Sequence, residues 1–204
     1  MNNTPQLMLD ASGFIKENAT QGNFQGTLNQ DIIGDRVRLV PHTLHIRQNI
    51  TGASSTYPLL ESKTDFVKGV VNIQNRKFDT DEVFVANGIR VGYSAAAVDA
   101  NPGSLNYSTA LPGTLRNGTL IIRQSNREIL RLPIADLTAR GIKQSPEEYY
   151  KPLPGFIYFV NGQRFEIEIE FPEDLVLAEG AVAASSNHFF EIMIGGQITR
   201  LKSK

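Results

Sequence analysis

The chain has 204 residues, 41% of them hydrophobic, a formal net charge of −1, and neither cysteine nor tryptophan. This length suits one domain, or one domain with an arm, and the missing cysteine excludes disulfides, zinc–thiolate centres and thiol catalysis. Near-zero charge gives no global pull toward nucleic acid or anionic lipid, and no stretch approaches the roughly 18 uninterrupted apolar residues of a membrane span.

The first thirty or so residues are polar, rich in Asn, Gln and Gly, with Leu7, Met8, Leu9, Phe14 and Ile15 as the main apolar groups. Residues 1–34 read as an N-terminal arm, poorly structured alone and ordered by contact with another subunit. Met1 is followed by Asn2, Asn3 and Thr4, with no basic region leading into an apolar one, so no secretory leader is read there. Four Asn-x-Ser/Thr matches, at Asn18, Asn49, Asn106 and Asn117, read as chance in an Asn-rich chain.

Strand signals dominate from residue 35 onward. Arg36 to Leu39 alternates, and Leu44 and Ile46 continue the pattern past Pro41. Phe66 to Ile73 is a second candidate. Glu82 to Tyr93 is a third, with Asn87-Gly88 as a tight turn or bulge. Thr119 to Arg123 and Glu128 to Leu132 form a hairpin through Ser125-Asn126. Phe156 to Val160 is a short apolar run followed by Asn161-Gly162, a strong two-residue hairpin signal. In Arg164 to Phe171, Phe165, Ile167, Ile169 and Phe171 point one way, while Arg164, Glu166, Glu168 and Glu170 point the other. Pro172 ends that strand. Phe189 to Leu201 is the eighth candidate. Helical signals are confined to Ile134–Arg140 and Asp174–Ala184, and the second also reads as strand. The predicted core is Phe165, Ile167, Ile169 and Phe171 with Ile157, Phe159, Ile121 and Ile192.

Eight strands over residues 35–204, with long loops and little helix, predict an all-β, eight-stranded antiparallel jelly-roll sandwich preceded by a polar N-terminal arm. An immunoglobulin-like sandwich is the alternative, and it would need large insertions.

Chemistry is sparse. His42 and His45 are three apart, which in a strand puts them on opposite faces, and His188 is remote, so no metal site is read from them. There is no Gly-x-Ser-x-Gly elbow, phosphate loop or dinucleotide fingerprint. No catalytic residue, cofactor or metal ligand is assigned. Glu166, Glu168 and Glu170 share one strand face, with spacing permissive for sugar hydrolysis, but they read better as a solvated face or one meeting basic neighbours. Asp79-Thr80-Asp81-Glu82 offers oxygen ligands for calcium. It lacks the glycine and distant glutamate of an EF-hand and reads as an acidic turn. Arg123, Arg127 and Arg131, and Arg36, Arg38 and Arg47, read as partners in salt bridges and give no strong nucleic-acid signal.

The polar leading segment, the long loops, the closing strand near Lys204, the stretch Glu82 to Val91, and Phe165 to Pro172 with Phe190 to Ile194 together resemble jelly-roll virion proteins of bacteriophages, the coat proteins of tailless icosahedral phages among them. The resemblance implies a non-enzymatic structural protein of the virion. It would self-assemble into a capsid shell as a homo-oligomer and meet copies of itself and other virion proteins through strand faces and the arm. Arg164, Glu166, Glu168 and Glu170 are the expected assembly contacts. Two other functions stay open: a phage spike or tail accessory module binding receptor or carbohydrate, and an all-β glycoside-acting enzyme.

Overall fold

The computed structural model describes residues 4–60, 65–137, 150–178 and 186–202. Eight strands run in chain order: β1 (Val37–Asn49), β2 (Thr56–Pro58), β3 (Phe84–Ala97), β4 (Thr119–Gln124), β5 (Arg127–Pro133), β6 (Lys151–Phe159), β7 (Phe165–Glu170) and β8 (Ser186–Leu201). They form two antiparallel four-stranded sheets, ordered β1-β8-β3-β6 and β2-β7-β4-β5. Each strand pairs with its counterpart from the other end of the chain: β1 with β8, β2 with β7, β3 with β6, β4 with β5. Successive pairs alternate between the sheets, so a long antiparallel ribbon is wrapped into a jelly roll. That order sets aside the immunoglobulin-like alternative.

The interior is solid. Phe78, Phe84, Phe159 and Phe165 meet with ring centroids 4.8–5.9 Å apart, and aliphatic side chains from both sheets complete the layer. Phe165, Ile167, Ile169, Phe171, Phe159 and Ile192 belong to it, as their alternation dictates. Two predicted members do not sit at its centre. Ile157 is half-buried at the margin. Ile121 is buried but alternates onto the opposite face, in register between Arg131 and Glu168. Its neighbours Leu120 and Ile122 take the inward positions.

Residues 4–33 are no unstructured arm. They form α1 (Thr4–Thr20) and α2 (Leu28–Ile33). Ala11, Ile15 and Ala19 recur at helical spacing and are buried. Gly22, at a φ of +76°, helps close α1, its amide donating to the Ala19 carbonyl at 3.0 Å. Ile15, Ala19, Phe24, Leu28 and Ile32 pack with Val83 and Val85, and Phe14, Val37, Leu39, Phe156 and Tyr158 border them. The two helices therefore cover part of the outer face of the first sheet with a second, smaller core. The expectation that another subunit must order this segment is corrected, because the chain's own sheet supplies the apolar partner.

Three local expectations are corrected too. Phe66 to Ile73 is no strand of either sheet. It makes isolated bridges at Val67 and Val71, and the short β2 takes the second place in the ribbon. Asn161-Gly162 makes a turn but no hairpin, since β6 pairs with β3 in one sheet and β7 with β2 and β4 in the other. Asn161 is fully buried there. Its Oδ1 accepts from the Gln25 amide at 2.7 Å, and its Nδ2 donates to the carbonyls of Gln25 and Thr80, tying the helical layer to the crossing point. Residues 174–178 are not helical, and 179–185 lie outside the described residues. Asn87-Gly88 is a bulge, where the register of β3 shifts between Ala86 and Gly88. Opposite it, a Cβ on Gly196 would run into the Val85 carbonyl oxygen, so only glycine fits. The Ser125-Asn126 hairpin forms with both residues at positive φ, +52° and +62°. Helix α3 (Gly113–Arg116) precedes β4. Helix α4 (Ile134–Leu137) follows β5, where one or two turns were expected as far as Arg140; residues 138–140 lie outside the described residues.

Candidate assembly surfaces

The outer face of the second sheet is a ladder of opposed charges. Register sets Glu166 opposite Arg123, Glu168 opposite Ile121 and Glu170 opposite Thr119. Glu166 is reached by Arg76 at 3.4 Å, Glu168 pairs with Arg123, and Glu170 is reached by Arg131 at 2.6 Å. Arg131 also holds Glu128 at 3.1 Å. The aliphatic stems of such side chains cover apolar surface, consistent with the burial of Ile121 beneath them. Arg164 is exposed and has no ion-pair partner among the described residues. The expected assembly contacts thus divide: the three glutamates are engaged by arginines of their own chain, and Arg164 stands unpaired at the end of their row. Of the other arginines, Arg36 pairs with Asp31 at 3.3 Å and Arg47 with Glu191 at 2.7 Å.

The first sheet carries a second polar cluster, beyond the helices. Glu191 on β8 has a side chain only 2% exposed. Arg47 on β1 donates to its Oε2 and Arg90 on β3 to its Oε1, each at 2.7 Å. Arg47 also donates to the Gly69 carbonyl at 2.6 Å and stacks over Tyr107, 5.4 Å from the ring centroid. Arg90 lies 6.0 Å from the Tyr150 centroid. Burial pushes the Tyr107 hydroxyl up to about 12, so it stays protonated in the ordinary pH range. A carboxylate held between two guanidiniums is the arrangement burial demands of a charge. Sequence reasoning missed it. Its signal was a single acid, Glu191, inside the apolar run Phe189 to Ile194, which requires a cationic partner on a neighbouring strand.

The histidines do not converge. His42 packs edge-on against Phe84 at 5.6 Å. His45 faces the other way and its Nε2 is buried without a hydrogen-bond partner among the described residues. Burial first, then nearby cationic groups, hold both below the ordinary value of 6.5. His188 is wholly buried, its Nδ1 2.6 Å from the Tyr93 hydroxyl and its Nε2 2.9 Å from the Ala178 carbonyl. Carboxylate oxygens of Asp79, Asp81 and Glu82 lie within 4.8 Å of one another, and Arg200 already pairs with Glu82.

Cavities open on the surface formed by the described residues. One, of about 540 Å³, runs between α1 and the start of β1, with Leu9, Ile15, Val37 and Leu39 in its walls and Lys16, Asp35, Arg38 and Lys202 at its edge. Lys202 and Lys16 hold the Asp35 carboxyl below its usual range, the Lys202 hydrogen bond being the larger cause. Another, of about 360 Å³, lies where the β4–β5 hairpin meets the start of β7. No family model matches the chain, and no curated protein or solved structure shows significant similarity to it.

Proposed function

We propose that this chain is a structural subunit of a phage virion that self-assembles into a capsid shell, with no catalytic role. The observation that carries the reading is the jelly-roll strand order around a solid core. Jelly rolls recur as capsid, lectin and cupin domains. Those that bind substrate inside the sandwich need an open interior, whereas here aromatic and aliphatic side chains fill the space between the sheets. Function then falls to outer surfaces, and this chain devotes its outer faces to order. A helical layer covers part of one sheet, a buried arginine–glutamate cluster holds another part, and a charge ladder lines the second sheet. Rigid faces of this kind suit repeated contacts between copies, each modest and multiplied by symmetry. Charged rows such as the one ending at Arg164 set register between neighbours more than they add affinity.

A receptor-binding spike or tail accessory is the second reading. The arginine-lined cavity at the loop end of the second sheet favours it. Solution mass with negative-stain imaging of the purified chain separates the two. Large closed particles support the shell subunit, and a small species that never assembles supports the binding module.

A further inference from the structure

Arg76 holds a backbone conformation rare for a long side chain, with φ at +56° beside Asn75 at +52°. Such conformations are costly and persist only where the surroundings enforce them, often at functional positions. Here the Arg76 carbonyl accepts from the Phe165 amide at 2.8 Å, which staples the turn to the start of β7. The Arg76 side chain is laid against the protein, 15% exposed. Its Nε is buried with no hydrogen-bond partner among the described residues, and its Nη1 reaches Glu166 only at 3.4 Å, a long hydrogen bond.

The cavity beside it brings Arg76, Arg123 and Arg164 together with Ser125, Asn126, Gln163 and one carboxylate, Glu166. Glu166 answers Arg76 and Glu168 answers Arg123, which leaves Arg164 as a surplus cation at the mouth. The Ser125 hydroxyl donates to Gln163 Oε1 at 2.6 Å, fixing one wall of neutral polar groups. Among the described residues no aromatic side chain lines the cavity, which gives no platform for stacked bases.

We propose that this cavity is a binding site for one sulfate or phosphate group carried on a ligand. Arginine presents planar forks of donors that match such oxyanions. Arg164 meets the group at the mouth, Arg76 and Arg123 add positive charge from the wall, and the neutral wall accommodates the hydroxyls of an attached sugar. The inference does not depend on whether the chain forms a shell.

The test is isothermal titration calorimetry of the full chain at low ionic strength, with inorganic phosphate and with a heparin-derived tetrasaccharide as probes. Arg164→Ala, Arg76→Lys and a distant control, Arg116→Ala, are titrated in parallel, with thermal unfolding to confirm that each is folded. The expected result is binding of at least one probe, weakened about tenfold by Arg164→Ala and also by Arg76→Lys, and unchanged by Arg116→Ala. Binding of phosphate alone assigns the site to a small free anion, and tighter binding of the tetrasaccharide assigns it to a sulfated glycan. Neither probe bound, or binding that Arg164→Ala leaves intact, overturns the proposal; should Arg76→Lys fail to fold, Arg164→Ala decides alone. Sedimentation of the same samples reads assembly separately, so failure here is distinguishable from failure of the shell reading.

Discussion

Phe24→Ala tests whether the helical layer is part of the fold or a detachable arm. Phe24 is 5% exposed and stands edge-on to Tyr158, with centroids 5.5 Å apart, in the small core with Ile15, Leu28, Ile32, Val83 and Val85. Removing such a ring costs about 3–5 kcal/mol through lost transfer energy and the cavity left behind. Roughly 0.5–1.5 kcal/mol of that belongs to the ring pair. The layer lies on the outside of a sheet, where neighbours can settle inward, so the lower end applies. A ceiling also applies: if α1 and α2 undock locally at less cost than this, global stability registers only the undocking energy. Urea unfolding gives the midpoint shift, and native-state hydrogen exchange shows which amides lose protection. Phe165→Ala, in the central core, is the reference at about 3–5 kcal/mol. The expected result is a loss of about 3 kcal/mol for Phe24→Ala with an unchanged m value. A loss below about 1 kcal/mol, with protection lost only in α1 and α2, would refute an integral layer and restore the detachable arm.

Other predictions follow from the polar clusters. Glu191→Gln keeps the shape of the side chain but leaves Arg47 and Arg90 without their shared charge; a loss near the lower end of about 3–5 kcal/mol is expected, since both arginines are partly exposed, and urea unfolding checks it. Asn161→Ala removes three hydrogen bonds that join Gln25 and Thr80 to the crossing between β6 and β7. It is expected to cost about 1–2 kcal/mol and to raise exchange at the Gln25 amide. His42 and His45 are both held below 6.5 in the folded chain, so the unfolded chain binds more protons as pH falls. The stability this represents is present above pH 6.5 and is lost as pH falls from there through the lower folded values. Melting temperatures between pH 7.5 and 5 check this, and the His42→Phe, His45→Gln double variant is expected to flatten the slope.

What sequence showed of this fold was whatever a single strand reveals about itself. Phe165 to Phe171 declared its inward face because period two is unbroken there, and Ser125-Asn126 declared a hairpin because strand signals flank it closely on both sides, even though the ladder bulges between Ile122 and Arg123. Choices made between strands were not legible. Asn161-Gly162 marks a turn, but nothing local says whether the next strand stays in the sheet or crosses to the other. Helix α1 escaped notice because its buried stripe is small, Ala11, Ile15 and Ala19, and Gly13 interrupts it. The candidate surfaces were half visible. The row of Glu166, Glu168 and Glu170 stood out, yet Arg76 and Arg131, which hold its two ends, lie outside β7. The Glu191 cluster joins residues more than 100 positions apart, a closure only the wrapped ribbon produces.

The function proposed for this chain turns on whether copies of it assemble. Analytical ultracentrifugation across a range of concentrations, with negative-stain imaging of the same samples, tests it most directly when the parent is compared with Glu166→Lys/Glu168→Lys. Large symmetric or closed particles are expected for the parent. Weaker assembly is expected in the double variant, beyond the modest stability lost with the Arg76 and Arg123 pairs. A parent that remains monomeric at the highest concentration reached would contradict the structural reading and favour a monovalent binding module.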